Sequence, residues 1–192
     1  MTKPQITKEW LDSFYDRGID PENRVLHLYG DIGEDSISNL VKSIYYLDSL
    51  GDDPIELFIS SVGGSVYDMF ALYDVTRSTR CPIHTVGVGY IMSAAVLLVA
   101  AGTKGKRYSM PHCSYMVHEG LSELGEGRIA SHKKVVDHLK QLDETWYDLM
   151  AKHTNLSVAQ WKRKCNIIGD YYFTADQAIE FGVVDHLWSE KP

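Results

Sequence analysis

Three times between Arg24 and Gly102 the chain passes from a short apolar run to a helix-periodic segment, with brief connections between them. The runs "RVLHLY", "IELFIS" and "IHTVGV" read as buried strands. The first is followed by "DSISNLVKSIYYLDSLG", where Ile37, Leu40, Val41, Ile44 and Leu47 recur at helical spacing and Gly51 is the stop. "SVYDMFALYDVTRS" follows the second run, and an apolar helix containing Ser93 follows the third. Strands joined by intervening helices pair in parallel through right-handed crossovers, so this order is the signature of an α/β fold.

The second half is organised differently. "KRYSM" and "SYMVH" predict two more short strands, and the glycine-containing "EGLSELGEGR" leads into a long helix from about residue 129 to His153. On that helix Val135, Leu139, Leu142, Trp146 and Leu149 form one apolar stripe, while Lys133, Lys134, Asp137, Lys140 and Glu144 face away. Such length suits a projecting or assembling element. Capping-box patterns at Ser157 ("SVAQ") and Thr174 ("TADQ") mark two later helix starts, and "FGVVDHLW" closes the chain with a stop and a strand. Residues 1–23 read as a polar arm anchored by Trp10, Leu11, Phe14 and Tyr15, and residues 24–192 as one domain.

Composition narrows the function classes. The 192 residues carry a net charge of −7 with no dense basic patch, which argues against nucleic acid or an anionic membrane as the main partner. The apolar stretch Tyr90 to Gly102 is too short to span a bilayer, and "MTKPQITKEW" has no apolar signal core. Cys81, Cys113 and Cys165 are odd in number and lack metal-ligand spacing, which fits a reducing, cytoplasmic compartment. No metal or cofactor is expected.

Chemistry concentrates at two strand ends. In "SSVGGSV", Gly63 and Gly64 stand between a strand and a helix starting near Ser65, where bare backbone N–H groups can hold negative charge. In "GVGYIMSAAVLLVAAG", Ser93 is set in an apolar bed at a helix entry, and the N–H of Ala94 points to the same spot. A serine in such a helix is ordinarily structural, its hydroxyl bonding back to the preceding turn. A serine nucleophile needs a base and an orienting group. Of eight histidines, His118 ends the strand "SYMVH" at its open end, whereas His27 and His84 lie within strands. His112, Cys113 and His118 have weak metal-ligand spacing. Asp170, in "IIGDYYF", is a carboxylate beside aromatics and is expected to be partly buried, where an imidazole would satisfy it.

Taken in order, "SVGGSV", "GYIMSAAVLLVAAGTKGKRYSMPHCSYMVHEG", the long helix and "GDYYFTADQAIEFGVVDHL" resemble the proteolytic subunits of the Clp ATP-dependent proteases from about Arg24 onward. The resemblance implies a Clp/crotonase-like superhelical core of repeated β-β-α crossover units, with a long helix at 128–153 and an adjoining strand, "GLSELGEG", projecting for ring stacking. It implies a serine endopeptidase with Ser93 as nucleophile, His118 as general base and Asp170 as orienter. The N–H groups of Ala94 and Gly64, with Gly63 as the alternative to Gly64, would form the oxyanion hole. It further implies seven-membered rings, stacked in pairs to fourteen subunits, unfolded polypeptide as substrate and an unfoldase ATPase as partner. A non-catalytic ring subunit and an acyl-CoA enzyme of the crotonase type share the fold and stand as alternatives. The chain departs from the family pattern at Val62 (proline), at Met92 and Ala94 around the serine, at "HEG" (His-Gln-Pro) and at Tyr171 (arginine), and the family's axial-pore segment is not recognisable in residues 1–23.

Overall fold

The computed structural model describes residues 18–120, 129–166 and 169–188, with isolated positions 8 and 12. The rest of the amino-terminal arm through residue 17, and the part of "GLSELGEG" after Gly120, lie outside the described residues. The alternation seen in the sequence is realised as β2 (Val25–Ile32), α1 (Glu34–Leu50), β3 (Ile55–Gly64), α2 (Val66–Ser78), β4 (Ile83–Met92) and α3 (Ala94–Ala100). β2, β3 and β4 pair in parallel, as crossover helices require. One strand lies where none is expected: β1 (Ile19–Asp20) runs antiparallel to β2 inside the segment read as an arm.

The sheet forks at β4. Its first half, Thr85–Gly87, pairs with β5 (Arg107–Ser109), and its second half, Tyr90–Met92, pairs with β6 (Ser114–Val117). β5 continues to β8 (His186–Leu187), while β6 is joined antiparallel by β7 (Tyr171–Thr174), a second strand that the sequence pattern does not predict. The fork matters because β4 and β6 then deliver their carboxyl ends to the same place.

Apolar side chains from both layers meet in one core. Leu26 and Leu28 of β2, Leu57 and Ile59 of β3, and Ile44 and Leu47 of α1 are sealed from solvent, and every residue of α3 is buried. The remaining helices are α4 (Ile129–His153), α5 (Val158–Cys165) and α6 (Ala175–Glu180). Both expected capping boxes are present: the Ser157 N–H donates to Gln160 Oε1 at 2.8 Å and the Thr174 N–H to Gln177 Oε1 at 3.0 Å. Across the far edge, buried Arg107 donates from Nε and Nη2 to the two carboxylate oxygens of Asp185, at 2.9 and 2.6 Å, and from Nη1 to the His153 carbonyl at 2.7 Å. Burial alone would push the Asp185 carboxyl up, but the hydrogen bonds and charge of Arg107 hold it below its ordinary range.

α4 differs from expectation in what its stripe covers. Tyr147 and Met150 are buried in the core, Val135 is 44% exposed, and Leu139, Leu142 and Trp146 line a cavity beside Ser93. The carboxyl-terminal half of α4 lies against the domain, so one amphipathic face serves both core and cavity.

Candidate active site

Ser93 caps α3 with an unusual backbone, φ 53° and ψ −124°. This is a region that non-glycine residues rarely occupy and that costs on the order of 1–3 kcal/mol, which the surroundings must over-determine. Two contacts do so. The Ser93 N–H donates to the Met116 carbonyl at 2.8 Å, tying the serine to β6, and the Ser93 carbonyl accepts from Val96 N–H at 3.1 Å as α3 begins. The hydroxyl makes no capping bond. It lies instead 2.8 Å from Nε2 of His118, one residue past the end of β6. The structural role open to a lone helix serine is therefore not the one this side chain takes.

Gly63 explains how β3 reaches the serine. Its φ of +94° disfavours any side chain, and a Cβ there would fall 2.7 Å from Ser93 Cβ and 3.2 Å from the Ala94 nitrogen. The Gly63 N–H is turned to Ser61 Oγ at 3.1 Å, so it is already used inside the protein. Gly64 follows at the strand end, and α2 starts after Ser65, whose hydroxyl accepts from Asp68 N–H. Ala94 is the first residue of α3, where helix N–H groups have no intrahelical acceptor. Ser93, Ala94, Gly63, Gly64 and His118 all line one cavity of about 570 Å³.

Asp170 stands differently from the expectation of a partly buried carboxylate satisfied by imidazole. β6 and β7 pair Val117 with Tyr171, so His118 and Asp170 are the next facing positions beyond the ladder. Yet Asp170 is exposed, and its Oδ2 accepts from the Tyr172 hydroxyl at 3.2 Å. Among the described residues no hydrogen bond joins it to His118. Tyr171 is turned toward Lys164, whose Nζ donates to the Tyr171 hydroxyl at 2.8 Å.

Sequence reasoning passes over Asp143. It is half-buried on α4, lines the same cavity, and packs so closely on Gly120 that a Cβ at Gly120 would lie 2.6 Å from Asp143 Oδ1. The signal is present: Leu139, Leu142, Asp143 and Trp146 follow i, i+3, i+4, i+7 spacing, which places a carboxylate on the apolar stripe. Burial, then the charges of Glu119 and Glu144, push the Asp143 carboxyl up against the opposing effect of His118.

The other candidates are structural. All three cysteines are free and buried, and burial pushes Cys113 up to about 11 and Cys165 up to about 12, so neither is a ready thiolate. His153 Nε2 bonds the Tyr73 hydroxyl at 2.9 Å. Among the described residues no group of histidine, cysteine and carboxylate side chains could hold a metal, and no helix is long and apolar enough to cross a membrane.

A serine hydroxyl bonded to an imidazole, at a helix entry and beside bare backbone on a forked, mostly parallel sheet, is the arrangement of a serine hydrolase. The Clp protease family profile matches residues 13–191, and the chain belongs to that family. It is 35% identical over 192 residues to ATP-dependent Clp protease proteolytic subunit 2 of Nocardia farcinica, covering 98% of this chain and 91% of the relative. It is also 34% identical over 179 residues to the subunit 2 of Corynebacterium diphtheriae, covering 92% and 86%, and 30% identical over 171 residues to the subunit 4 of Streptomyces avermitilis, covering 88% and 75%.

Proposed function

We propose that this chain is a serine endopeptidase in which Ser93 is the nucleophile and His118 the general base. The observation that carries the proposal is the 2.8 Å contact between Ser93 Oγ and His118 Nε2. In this role His118 Nε2 accepts the hydroxyl proton as Oγ attacks the peptide carbonyl, then returns it to the departing amine, leaving an acyl-serine that water hydrolyses by the same steps. The Ala94 and Gly64 N–H groups receive the oxyanion; Gly63 is the weaker candidate because its N–H is occupied by Ser61 Oγ. Asp170 orients His118 through Nδ1 in this reading; the Tyr172 hydroxyl occupies only Oδ2, and the carboxylate has further acceptor sites for the imidazole.

Residues 24–192 act as one peptidase unit in this proposal, with α4 and the segment before it forming contacts between stacked seven-membered rings. Short unstructured peptides and unfolded chains are the substrates, and a Clp ATPase is the partner that delivers folded ones. The three unpaired cysteines suit a reducing, cytoplasmic setting. A non-catalytic ring subunit would have no use for a hydroxyl–imidazole pair, and neither would an acyl-CoA enzyme of the crotonase type. Reaction of the purified protein with a fluorophosphonate probe tests this directly. Ser93 should be labelled, and Ser93→Ala should not be; an unlabelled wild type, with folding verified, would refute the peptidase assignment.

A further inference from the structure

We propose that Asp143 makes the cavity beside Ser93 select a basic side chain, lysine or arginine, on the substrate residue whose carbonyl is attacked. This rests on the peptidase function proposed above and goes beyond it to the substrate class. The cavity combines two features. Its wall on α4 is apolar, made by Leu139, Leu142 and Trp146, and Met69 and Val66 face it from α2. Into this setting α4 brings one half-buried carboxylate, Asp143, and among the described residues no lysine or arginine lines the cavity or pairs with Asp143. A long alkyl stem ending in a cation matches such a site: the stem lies on the apolar wall and the ammonium or guanidinium meets the carboxylate.

The neighbouring charges point the same way. Glu119 and Glu144 surround Asp143 with negative potential, and although Glu144 pairs with Lys162, that pair lies at the surface. Asp31, an exposed carboxylate, also lines the cavity. Among the described residues His118 is the single cationisable group facing Asp143 there, and it is bonded to Ser93 rather than to the carboxylate. Gly120 completes the arrangement, because any side chain at that position would displace Asp143 from the place it occupies.

The test uses three fluorogenic peptides, identical except for lysine, norleucine or glutamate before the scissile bond. Norleucine keeps the stem of lysine and lacks its charge. Wild type should cleave the lysine peptide with kcat/KM at least about tenfold above norleucine, with glutamate lowest, as expected for a charge-assisted contact in a partly dry site. Asp143→Asn should bring lysine and norleucine to within about threefold of each other, with the lysine rate falling far more than the norleucine rate. Asp52→Asn, at an exposed carboxylate that does not line the cavity, should leave the ratio within about twofold. A measurement on wild type needs no variant: butylamine should inhibit norleucine-peptide cleavage at least about tenfold more strongly than butanol. Equal lysine and norleucine rates in wild type, equal inhibition by the two small molecules, or an Asp143→Asn loss shared by all three peptides, would each overturn the proposal. The last of these would mean that Asp143 acts on His118. A wild type that neither labels nor cleaves any peptide would instead overturn the peptidase function, and this inference with it.

Discussion

The two sides of the Ser93–His118 pair are built to different standards. On the serine side, Ser93 is locked by its N–H bond to Met116, by Gly63 pressed against its Cβ and by a fully buried α3 behind it. On the aspartate side, Asp170 sits exposed past the end of a short ladder and bonds to an exposed tyrosine. The proposed nucleophile is thus fixed by the core of a single chain, where close packing allows few alternatives. The carboxylate proposed to orient His118 is held by groups that water can replace. Under the assembly proposed above, the costly, strained element would be made once by folding and the last contact completed by association of subunits.

The largest expected effect lies on the buried side. Ser93→Ala should lower peptide hydrolysis by on the order of 10³-fold or more, while melting stays within a few degrees of wild type because a methyl group fits the same bed. Hydrolysis by the variant at a rate near wild type, measured with a fluorogenic peptide, would remove the serine from the mechanism. Gly63→Ala comes next. Its Cβ must move Ser93 or the Met92 carbonyl, which it would approach to 2.9 Å, at a backbone φ that disfavours alanine. We expect activity to fall about 100-fold and stability to drop by about 1–3 kcal/mol in urea titration. A fully active, equally stable variant would mean that the serine side is looser than its packing indicates.

Asp170→Asn probes the exposed side. Removing an orienting carboxylate that is already in place costs about 10⁴ in a well-formed triad. Here the loss should be smaller, about 10- to 100-fold, since the imidazole is held at Ser93 without it. Rates of peptide hydrolysis by Asp170→Asn and Ser93→Ala, compared on the same peptide, measure the asymmetry. Losses of equal size would show that the working enzyme fixes both sides alike.

How much of this was legible follows the same division. β2, β3, β4 and their helices were readable because residues such as Leu26, Leu28, Leu57, Ile59, Ile37 and Ile44 are buried at the period of their own element. Ser93, His118 and the two glycines were legible in position, as residues at strand ends, although the Ser93 backbone strain was not, because it depends on the fork that lets β6 receive its N–H. β1 and β7 escaped because each is short and is stabilised by a partner strand rather than by its own pattern; β7 buries only Phe173. Arg107 and Asp185 are 78 positions apart, and no local signal links them. Asp143 was visible as a charge on an apolar stripe, but a stripe interpreted as an assembly surface gave the charge no role.

Away from the Ser93–His118 pair, the core beside Tyr73 and Arg107 carries a pH dependence of its own. Burial, with the nearby charges of Arg77, Lys152 and Arg107, holds His153 down to about 4, against an ordinary value near 6.5. Its neutral form is favoured by folding, so its contribution is fully present above about pH 6.5 and is lost as pH falls toward about 4. Because His153 is only half-buried, screening reduces the effect to a few degrees of melting temperature over that interval. His153→Gln should flatten this part of the melting curve against pH; an unchanged slope would assign the acid sensitivity to other groups.

The smallest effect is expected where the exposed side is weakest. The Tyr172 hydroxyl donates to Asp170 Oδ2 at 3.2 Å, and that hydrogen bond, with the carboxylate charge, pushes the phenol up. Both residues are exposed, so water can take the place of the hydroxyl at little cost. Tyr172→Phe therefore removes one hold on the carboxylate proposed to orient His118, without disturbing the serine side. Activity should change by less than about threefold, since the carboxylate keeps its acceptor sites for the imidazole. A tenfold loss in kcat/KM with unaltered fluorophosphonate labelling would mean that Tyr172 positions Asp170 for catalysis, and that the exposed side is as deliberately built as the buried one.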